Sequence, residues 1–152
     1  MEALASRDGT DRWSDGEPPT AYLACDPLTA IAEYARHADE SAGDSRDLVR
    51  LDVRPIHVLD LRRADVQTAL GPRAMPQASQ DRSTARALAA DVRSLGIVNG
   101  LIVPSMAFLD RMDRSNLVLF VETLPAGLAA AVGTPTTAGS IRLDPRGDAA
   151  RR

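Results

Sequence analysis

Two short apolar segments in the second half of the chain place the strongest constraint on its fold. Gly100-Leu-Ile-Val-Pro-Ser105 and Asn116-Leu-Val-Leu-Phe120 are each long enough for a buried strand. The segment between them carries two arginines, Arg111 and Arg114. Apolar strands that end at Pro-Ser and resume at Asn predict a core sheet with a polar site at its edge, where rigid strands hold the polar groups.

A helix start is encoded upstream, at Asp26-Pro27. Aspartate is a good helix cap, and proline is preorganised for the first helical position. Apolar residues then recur at helical spacing, at Leu28, Ile31, Ala32 and Ala35. The spacing predicts a helix with one apolar stripe. Glu33 lies on this helix but off the stripe.

The remaining pattern contains further strands and helices. In all, the predicted strands are Ala21 to Cys25, Ile56 to Leu61, Leu101 to Val103, Leu117 to Val121 and Ile141 to Leu143. The other predicted helices are Arg63 to Leu70, ended by Gly71, and Ser83 to Leu95, capped by Ser83, ended by Gly96 and apolar at Ala85, Leu88, Ala89, Val92 and Leu95. Residues 38–54 and 72–82 are predicted loops. Because helices and strands do not alternate strictly, the fold class is α+β.

Composition excludes several kinds of chemistry. The 152 residues predict one domain, and 44% apolar residues are enough for a core. All eighteen basic residues are arginine, so lysine-dependent Schiff-base and P-loop mechanisms are excluded. A net charge of −3 gives no reason to expect binding to nucleic acid or to acidic membranes.

Cysteine and histidine are too scarce for a disulfide or a metal centre. Cys25 is the single cysteine, and His37 and His57 are the two histidines, so no metal site is expected. No apolar run reaches about 18 residues, as a transmembrane helix requires. The N-terminus lacks the basic and apolar regions of a signal peptide, so a reducing cytoplasm is the expected location.

Five segments stand out as an ordered set. They are Arg12-Trp13, Tyr22-Leu-Ala-Cys-Asp-Pro-Leu-Thr-Ala-Ile-Ala-Glu33, Ile56-His-Val-Leu-Asp-Leu61, Gly100-Leu-Ile-Val-Pro-Ser105 and Asn116-Leu-Val-Leu-Phe120. Each alone has an ordinary structural explanation, such as a surface arginine or a turn asparagine. In this order they resemble the RES-domain family. The resemblance predicts a domain over residues 12–143, an irregular entry segment at 1–11 and a disordered tail at 144–152.

The resemblance implies a fold and an activity. RES domains are similar in fold to ADP-ribosyltransferases, which implies a mixed sheet with flanking helices. Characterised members are toxins of toxin–antitoxin pairs that destroy NAD+ at the nicotinamide–ribose bond, by phosphorolysis or hydrolysis. Their partner is a small DNA-binding, Xre-like antitoxin that blocks the active site. NAD+ is then the substrate, inorganic phosphate a candidate co-substrate, and no cofactor is expected.

By position, the family's arginine, glutamate and serine correspond to Arg12, Glu33 and Ser105. The resemblance assigns catalysis to Glu33 and Ser105, and substrate binding to Arg12, Tyr22 and Asn116. A carboxylate such as Glu33 can stabilise the positive charge that develops on ribose as the bond breaks. Arg12 can clamp the pyrophosphate, and Tyr22 can stack on the nicotinamide or ribose.

Two departures from the family pattern keep other hypotheses open. RES domains usually begin with a further strand that carries an arginine, whereas only eleven residues precede Arg12, and Asp11 stands where glycine is typical. A second hypothesis is therefore a truncated, inactive RES-like module that binds an antitoxin or a nucleotide. A third is an ADP-ribosyltransferase acting on a macromolecule. Phosphorolysis, hydrolysis and self-association all remain open at this stage.

Overall fold

A four-stranded sheet forms the centre of the protein. The computed structural model describes residues 11–14, 18–37, 45–54, 56–74 and 80–142. In chain order the helices and strands are β1 (Thr20–Ala24), α1 (Pro27–His37), β2 (Ser45–Arg50), β3 (Val58–Asp60), α2 (Ala64–Leu70), α3 (Arg82–Ser94), β4 (Gly100–Pro104), β5 (Ser115–Phe120), α4 (Leu128–Ala131) and β6 (Thr136–Arg142). Short 3-10 turns lie at Pro72–Ala74 and Val121–Thr123.

The central sheet is mixed, and its strands lie in the order β1-β5-β4-β3. β5 is antiparallel to both β1 and β4, whereas β3 and β4 are parallel. The predicted strands at Ala21 to Cys25, Leu101 to Val103 and Leu117 to Val121 are confirmed with small shifts at their ends. Their register places Asn116 of β5 between Ala24 of β1 and Val103 of β4.

Helix α3 covers one face of this sheet. Its buried residues are Ala85, Leu88, Ala89 and Val92, as the predicted stripe required, although Leu95 is exposed. They pack with Trp13, Leu61, Leu101, Val103, Val118 and Phe120 in the main core. The predicted cap at Ser83 is wrong. The helix begins one residue earlier, and the side chain of Asp81 accepts a hydrogen bond from the Thr84 N–H at 2.9 Å.

Helix α1 forms as predicted, but its apolar stripe is not its most buried side. Leu28, on the predicted apolar stripe, is 48% exposed, and Ala35 is exposed as well. Thr29 is instead fully buried. The polar side of α1 faces inward because its side chains find hydrogen-bond partners there, which offsets the cost of burying them.

Asp26 fixes the start of α1 in two ways. Its carboxylate accepts hydrogen bonds from the Thr29 N–H at 3.0 Å and the Thr29 hydroxyl at 2.6 Å. It also forms an ion pair with Arg114, 2.7 Å away, on the segment that precedes β5. Burial by itself would raise the pKa of Asp26, but the hydrogen bonds from Thr29 and the charge of Arg114 outweigh burial and lower it.

Replacing Asp26 by Ala is expected to lower the free energy of unfolding by about 1–2 kcal/mol at neutral pH, because the cap is lost. Asp26 has a lower pKa in the folded chain than in the unfolded chain, so its contribution is complete above the unfolded pKa. It is lost as the pH falls through the folded pKa. Urea unfolding at several pH values should therefore show the difference shrinking below about pH 4.

The matched control for this change is Asp91→Ala. Asp91 also forms an arginine ion pair, with Arg73 at 2.6 Å, but its side chain is 60% exposed. We expect little change in stability, because exposed pairs contribute little. A difference between wild type and Asp26→Ala that is equal at pH 7 and pH 3 would contradict the assigned role of Asp26.

An antiparallel ribbon of β2 and β6 extends from the sheet as a separate two-stranded unit. The prediction of a loop through residues 38–54 is wrong over Ser45–Arg50, and the last strand is longer than the predicted Ile141 to Leu143. Every residue of the ribbon is exposed or half-buried. Hydrophobic alternation marks strands that have one buried face, so it gave no signal here.

Gly100 opens β4 at a point where two backbones approach closely. It lies opposite Leu119 of β5 and Val58 of β3. A Cβ atom at this position would stand 2.2 Å from the carbonyl oxygen of Val118. Glycine is therefore required here for space.

Parts of several predictions lie outside the described residues. These parts are the entry segment through residue 10, residues 38–44 and 75–79, Leu143 and the tail at 144–152. The question of a missing first strand falls on the entry segment and therefore also lies outside the described residues. The domain boundaries stay a prediction. Within the described residues, no helix combines the length and apolar character needed to cross a membrane.

Candidate active site

Glu33 is the centre of a hydrogen-bonded group at the end of the sheet where strand β4 finishes. Its Oε1 atom accepts hydrogen bonds from the Ser105 hydroxyl at 2.7 Å, the Asn116 side-chain amide at 3.0 Å and the Met106 N–H at 3.1 Å. Ser105 follows β4, and Asn116 lies on the neighbouring strand β5. The structure thus brings three sequence-predicted residues, Glu33, Ser105 and Asn116, into direct contact.

This environment keeps Glu33 ionised. Burial is the largest influence on its pKa and acts to raise it. The hydrogen bonds from Ser105 and Asn116, together with the positive charge of Arg36, outweigh burial, so the net pKa is lowered. The second oxygen, Oε2, forms an ion pair with Arg36 at 3.5 Å, one turn along α1. The site therefore holds a carboxylate, with one oxygen fixed by the protein.

Ser105 lies behind Glu33. Its side chain is fully buried, and its hydroxyl oxygen accepts a hydrogen bond from the Ala107 N–H at 3.2 Å. The hydroxyl proton is donated to Glu33. Ser105 does not line the adjoining cavity. In this structure the Ser105 side chain therefore contacts Glu33 and not the cavity.

Arg12 and Tyr22 line the adjoining cavity and are linked through Trp13. The indole of Trp13 is buried in the main core and anchors the segment that precedes β1. The Trp13 N–H donates to the Tyr22 hydroxyl at 3.0 Å. Arg12 donates to the carbonyl oxygen of Gln80 at 2.7 Å, just before α3. Burial raises the pKa of Tyr22, so its hydroxyl stays protonated.

The cavity between these groups has a volume of about 560 Å³. Four of the five predicted site residues line it, namely Arg12, Tyr22, Glu33 and Asn116. Arg36 and Arg82 also line it, and sequence reasoning gave neither a role in the site. The spacing of Arg36, three residues after Glu33 on one helix, was a usable signal for that residue. Arg82 carried no such signal, because only folding brings the start of α3 to the cavity.

The chemistry available in this cavity is that of a fixed carboxylate in a lining that also holds guanidinium groups. A carboxylate stabilises positive charge that develops on a bound molecule, and guanidinium groups bind phosphate or carboxylate oxygens. Within the ranges that the structure describes, no group of three or more His, Cys, Asp or Glu side chains is arranged to hold a metal ion.

The protein is an α+β domain with a mixed sheet, and its candidate site holds a carboxylate beside arginines. The sequence pattern of the RES domain matches residues 2–144, and the chain therefore belongs to the RES-domain family. No curated protein sequence matches the chain significantly.

A solved structure confirms the fold class. One chain of the crystal structure of the M. tuberculosis MbcT–MbcA toxin–antitoxin complex superposes with a TM-score of 0.67. The match covers 95% of this chain and 79% of that chain, at 20% sequence identity. The predicted α+β fold with a mixed sheet is confirmed by this similarity.

Proposed function

We propose that this protein is the toxin of a type II toxin–antitoxin system and that it degrades NAD+ by breaking the nicotinamide–ribose bond. The observation that carries the proposal is the ionised Glu33, fixed by three donors at a cavity that arginines also line. Membership in the RES family and the fold shared with a chain of a toxin–antitoxin complex support it.

Breaking the nicotinamide–ribose bond does not require an acid catalyst. Nicotinamide leaves as a neutral base and takes the bonding electron pair, so no proton has to be supplied to it. The remaining ribose carries oxocarbenium-like positive charge at C1. A fixed carboxylate next to that carbon stabilises the transition state more than the ground state, because the charge develops only as the bond breaks. Glu33 is the proposed source of this stabilisation.

The other site residues have roles in binding and positioning. Arg12 is proposed to bind phosphate oxygens of NAD+, and Tyr22 to pack on the nicotinamide or ribose. Asn116 and Ser105 hold Oε1 of Glu33, which leaves Oε2 as the oxygen closer to the ligand. Ser105 therefore acts through Glu33.

The acceptor is inorganic phosphate or water. Attack by phosphate forms a new C–O bond at ribose C1 and yields ADP-ribose 1-phosphate and nicotinamide. Attack by water yields ADP-ribose, nicotinamide and a proton. Neither reaction requires an oxidant, a reductant or a cofactor. Arginines around the cavity favour phosphate, since guanidinium groups match its oxygens.

The proposed partner is an Xre-like antitoxin that covers the cavity. The MbcT–MbcA structure is a toxin–antitoxin complex, which supports a partner of this kind here. A cytoplasmic location is proposed because NAD+, the proposed substrate, is abundant there. Neither the proposed activity nor the proposed antitoxin partner involves self-association of this protein.

The test is the loss of NAD+ with purified protein, with and without inorganic phosphate, followed by chromatography of the products. We expect phosphate-dependent loss, with nicotinamide and ADP-ribose 1-phosphate formed in equal amounts. Loss that is indifferent to phosphate identifies a glycohydrolase. Labelled ADP-ribose attached to protein indicates a transferase. A folded protein that binds NAD+ and leaves it intact would refute the enzyme and support the binding module.

A further inference from the structure

Positive charge converges on the cavity from three separate segments. Arg12 precedes β1, Arg36 lies near the end of α1, and Arg82 is the first residue of α3. Burial and then the charges of Arg36 and Arg82 lower the pKa of Arg12. Like charges repel, so bringing three guanidinium groups to one cavity costs free energy that a bound anion offsets.

Among the described residues that line the cavity, two carboxylates face these three arginines, Asp11 and Glu33. The Oε1 atom of Glu33 is taken by the three donors described above. The contact between Oε2 and Arg36 is looser, at 3.5 Å, and the Arg36 side chain is 40% exposed. Such a half-exposed pair is weak and rearranges readily.

We propose that Arg36 and Arg82, together with Arg12, form a subsite for phosphate oxygens, and that Arg36 leaves Glu33 for the anion when the anion binds. This inference rests on the proposed function and deepens it. A phosphate dianion carries more charge than a carboxylate and offers oxygens to both arms of a guanidinium group, so it competes well for Arg36.

The exchange couples the two halves of the site. In the structure, Arg36 lies 3.5 Å from Oε2 of Glu33 and partly neutralises its charge. Once Arg36 has turned to the anion, Oε2 is available to the developing charge on ribose. The anion thus fills its own subsite and also exposes the carboxylate. Arg36 is in this sense a positioning residue for Glu33.

Two sources can supply the phosphate oxygens, the diphosphate of the dinucleotide and free inorganic phosphate. Two measurements on the purified chain distinguish these two sources. Calorimetric titration with inorganic phosphate, without dinucleotide, reports on the free anion. KM for NAD+ and KM for phosphate, each with its kcat, report on both in turnover.

The variants are Arg36→Gln and Arg82→Gln, with Arg36→Lys as the conservative change. Arg63→Gln is the matched control, because it also removes one exposed arginine from a carboxylate pair, with Asp65 at 2.8 Å, and does not line the cavity. Both cavity variants are expected to bind phosphate about 10- to 100-fold more weakly, the loss typical of a charged hydrogen bond. The control is expected to bind as wild type does.

A rise in KM for NAD+ with unchanged phosphate binding would assign the subsite to the diphosphate of the dinucleotide. If neither quantity changes in Arg36→Gln or Arg82→Gln, the subsite is refuted. A protein that binds phosphate through these arginines yet never cleaves NAD+ would retain the subsite and refute the proposed function. The titration therefore distinguishes the two failures.

The exchange itself has a separate signature. The signature is the pH at which activity falls on the acid side, where Glu33 becomes protonated. The pH profile of kcat/KM for phosphate reports on the enzyme before phosphate binds, and the pH profile of kcat reports on the complex. Arg36 lowers the pKa of Glu33, so its departure on phosphate binding should move the acidic loss of kcat to higher pH than that of kcat/KM. This difference should shrink in Arg36→Gln and be retained in part in Arg36→Lys. An undiminished difference in Arg36→Gln would overturn the exchange, whatever happens to KM.

Discussion

Replacing Glu33 by Gln is expected to lower kcat for NAD+ cleavage by about 100- to 1,000-fold, the loss seen when one preorganised electrostatic group is removed from a transition state. Glutamine has the same shape, and its carbonyl oxygen can still accept hydrogen bonds from Ser105, Met106 and Asn116. The variant should therefore fold as wild type does and bind NAD+ with little change. Initial rates of nicotinamide release measure the effect.

The control for Glu33→Gln is the same substitution at Glu122. Glu122 is also ion-paired, with Arg93 at 3.2 Å, and it does not line the cavity. Its kcat should equal that of wild type. In wild type, the lowered pKa of Glu33 places the acidic loss of activity below the usual range of a glutamate. Full activity in Glu33→Gln would remove Glu33 from the mechanism.

Replacing Gly100 by Ala is expected to have the largest effect on stability, a loss of about 3 kcal/mol or more from overpacking. The added Cβ would lie 2.2 Å from the carbonyl oxygen of Val118, which is backbone within the sheet. Relief requires β4 and β5 to separate, and these strands carry Ser105 and Asn116 at or beside their ends. Urea unfolding should show a lower midpoint with an unchanged slope.

Gly139→Ala is the control for the change at Gly100. Gly139 also lies in a strand, β6, opposite Leu48, and no atom lies within 4 Å of a Cβ built there. Its stability should equal that of wild type or exceed it slightly, because alanine reduces the freedom of the unfolded chain. Equal losses at the two glycines would show that backbone freedom, and not the contact with Val118, sets the cost at Gly100.

Sequence patterns predicted the parts of the fold in which burial repeats regularly. The strands around Leu101 and Leu117 are continuous apolar runs, because they lie in the middle of the sheet. Helix α3 shows its apolar residues at helical spacing, because one side of it packs on that sheet. In these segments the local pattern and the tertiary contacts agree.

The patterns failed where tertiary contacts override burial. The β2–β6 ribbon has no buried face and therefore no alternation to detect. The apolar stripe of α1 predicted the helix correctly but does not mark its buried side, since Leu28 is exposed and Thr29 is buried. Specific hydrogen bonds, which no periodicity encodes, determine which side of α1 faces the sheet.

The candidate site divides in the same way. Glu33, Ser105 and Asn116 were predicted because they sit in motifs of a family. The register of β4 and β5 places Ser105 near Asn116, and both donate hydrogen bonds to Glu33 on α1. Arg82 was missed, since its place in the cavity depends on how α3 packs. The buried position of Ser105 was also beyond the sequence, which shows that a residue belongs to a motif but does not show which way it points.

The inward turn of the polar side of α1 ties local stability to chemistry. A helix that buries its apolar stripe is held by many interchangeable contacts, whereas α1 depends on a few directional bonds, at Asp26 and at Glu33. Amide protons of α1 should therefore exchange with solvent faster than those of α3. The hydrogen bonds that orient the Glu33 carboxylate also anchor α1. A substitution that changes the orientation of the carboxylate is therefore expected to change the local stability of the helix as well.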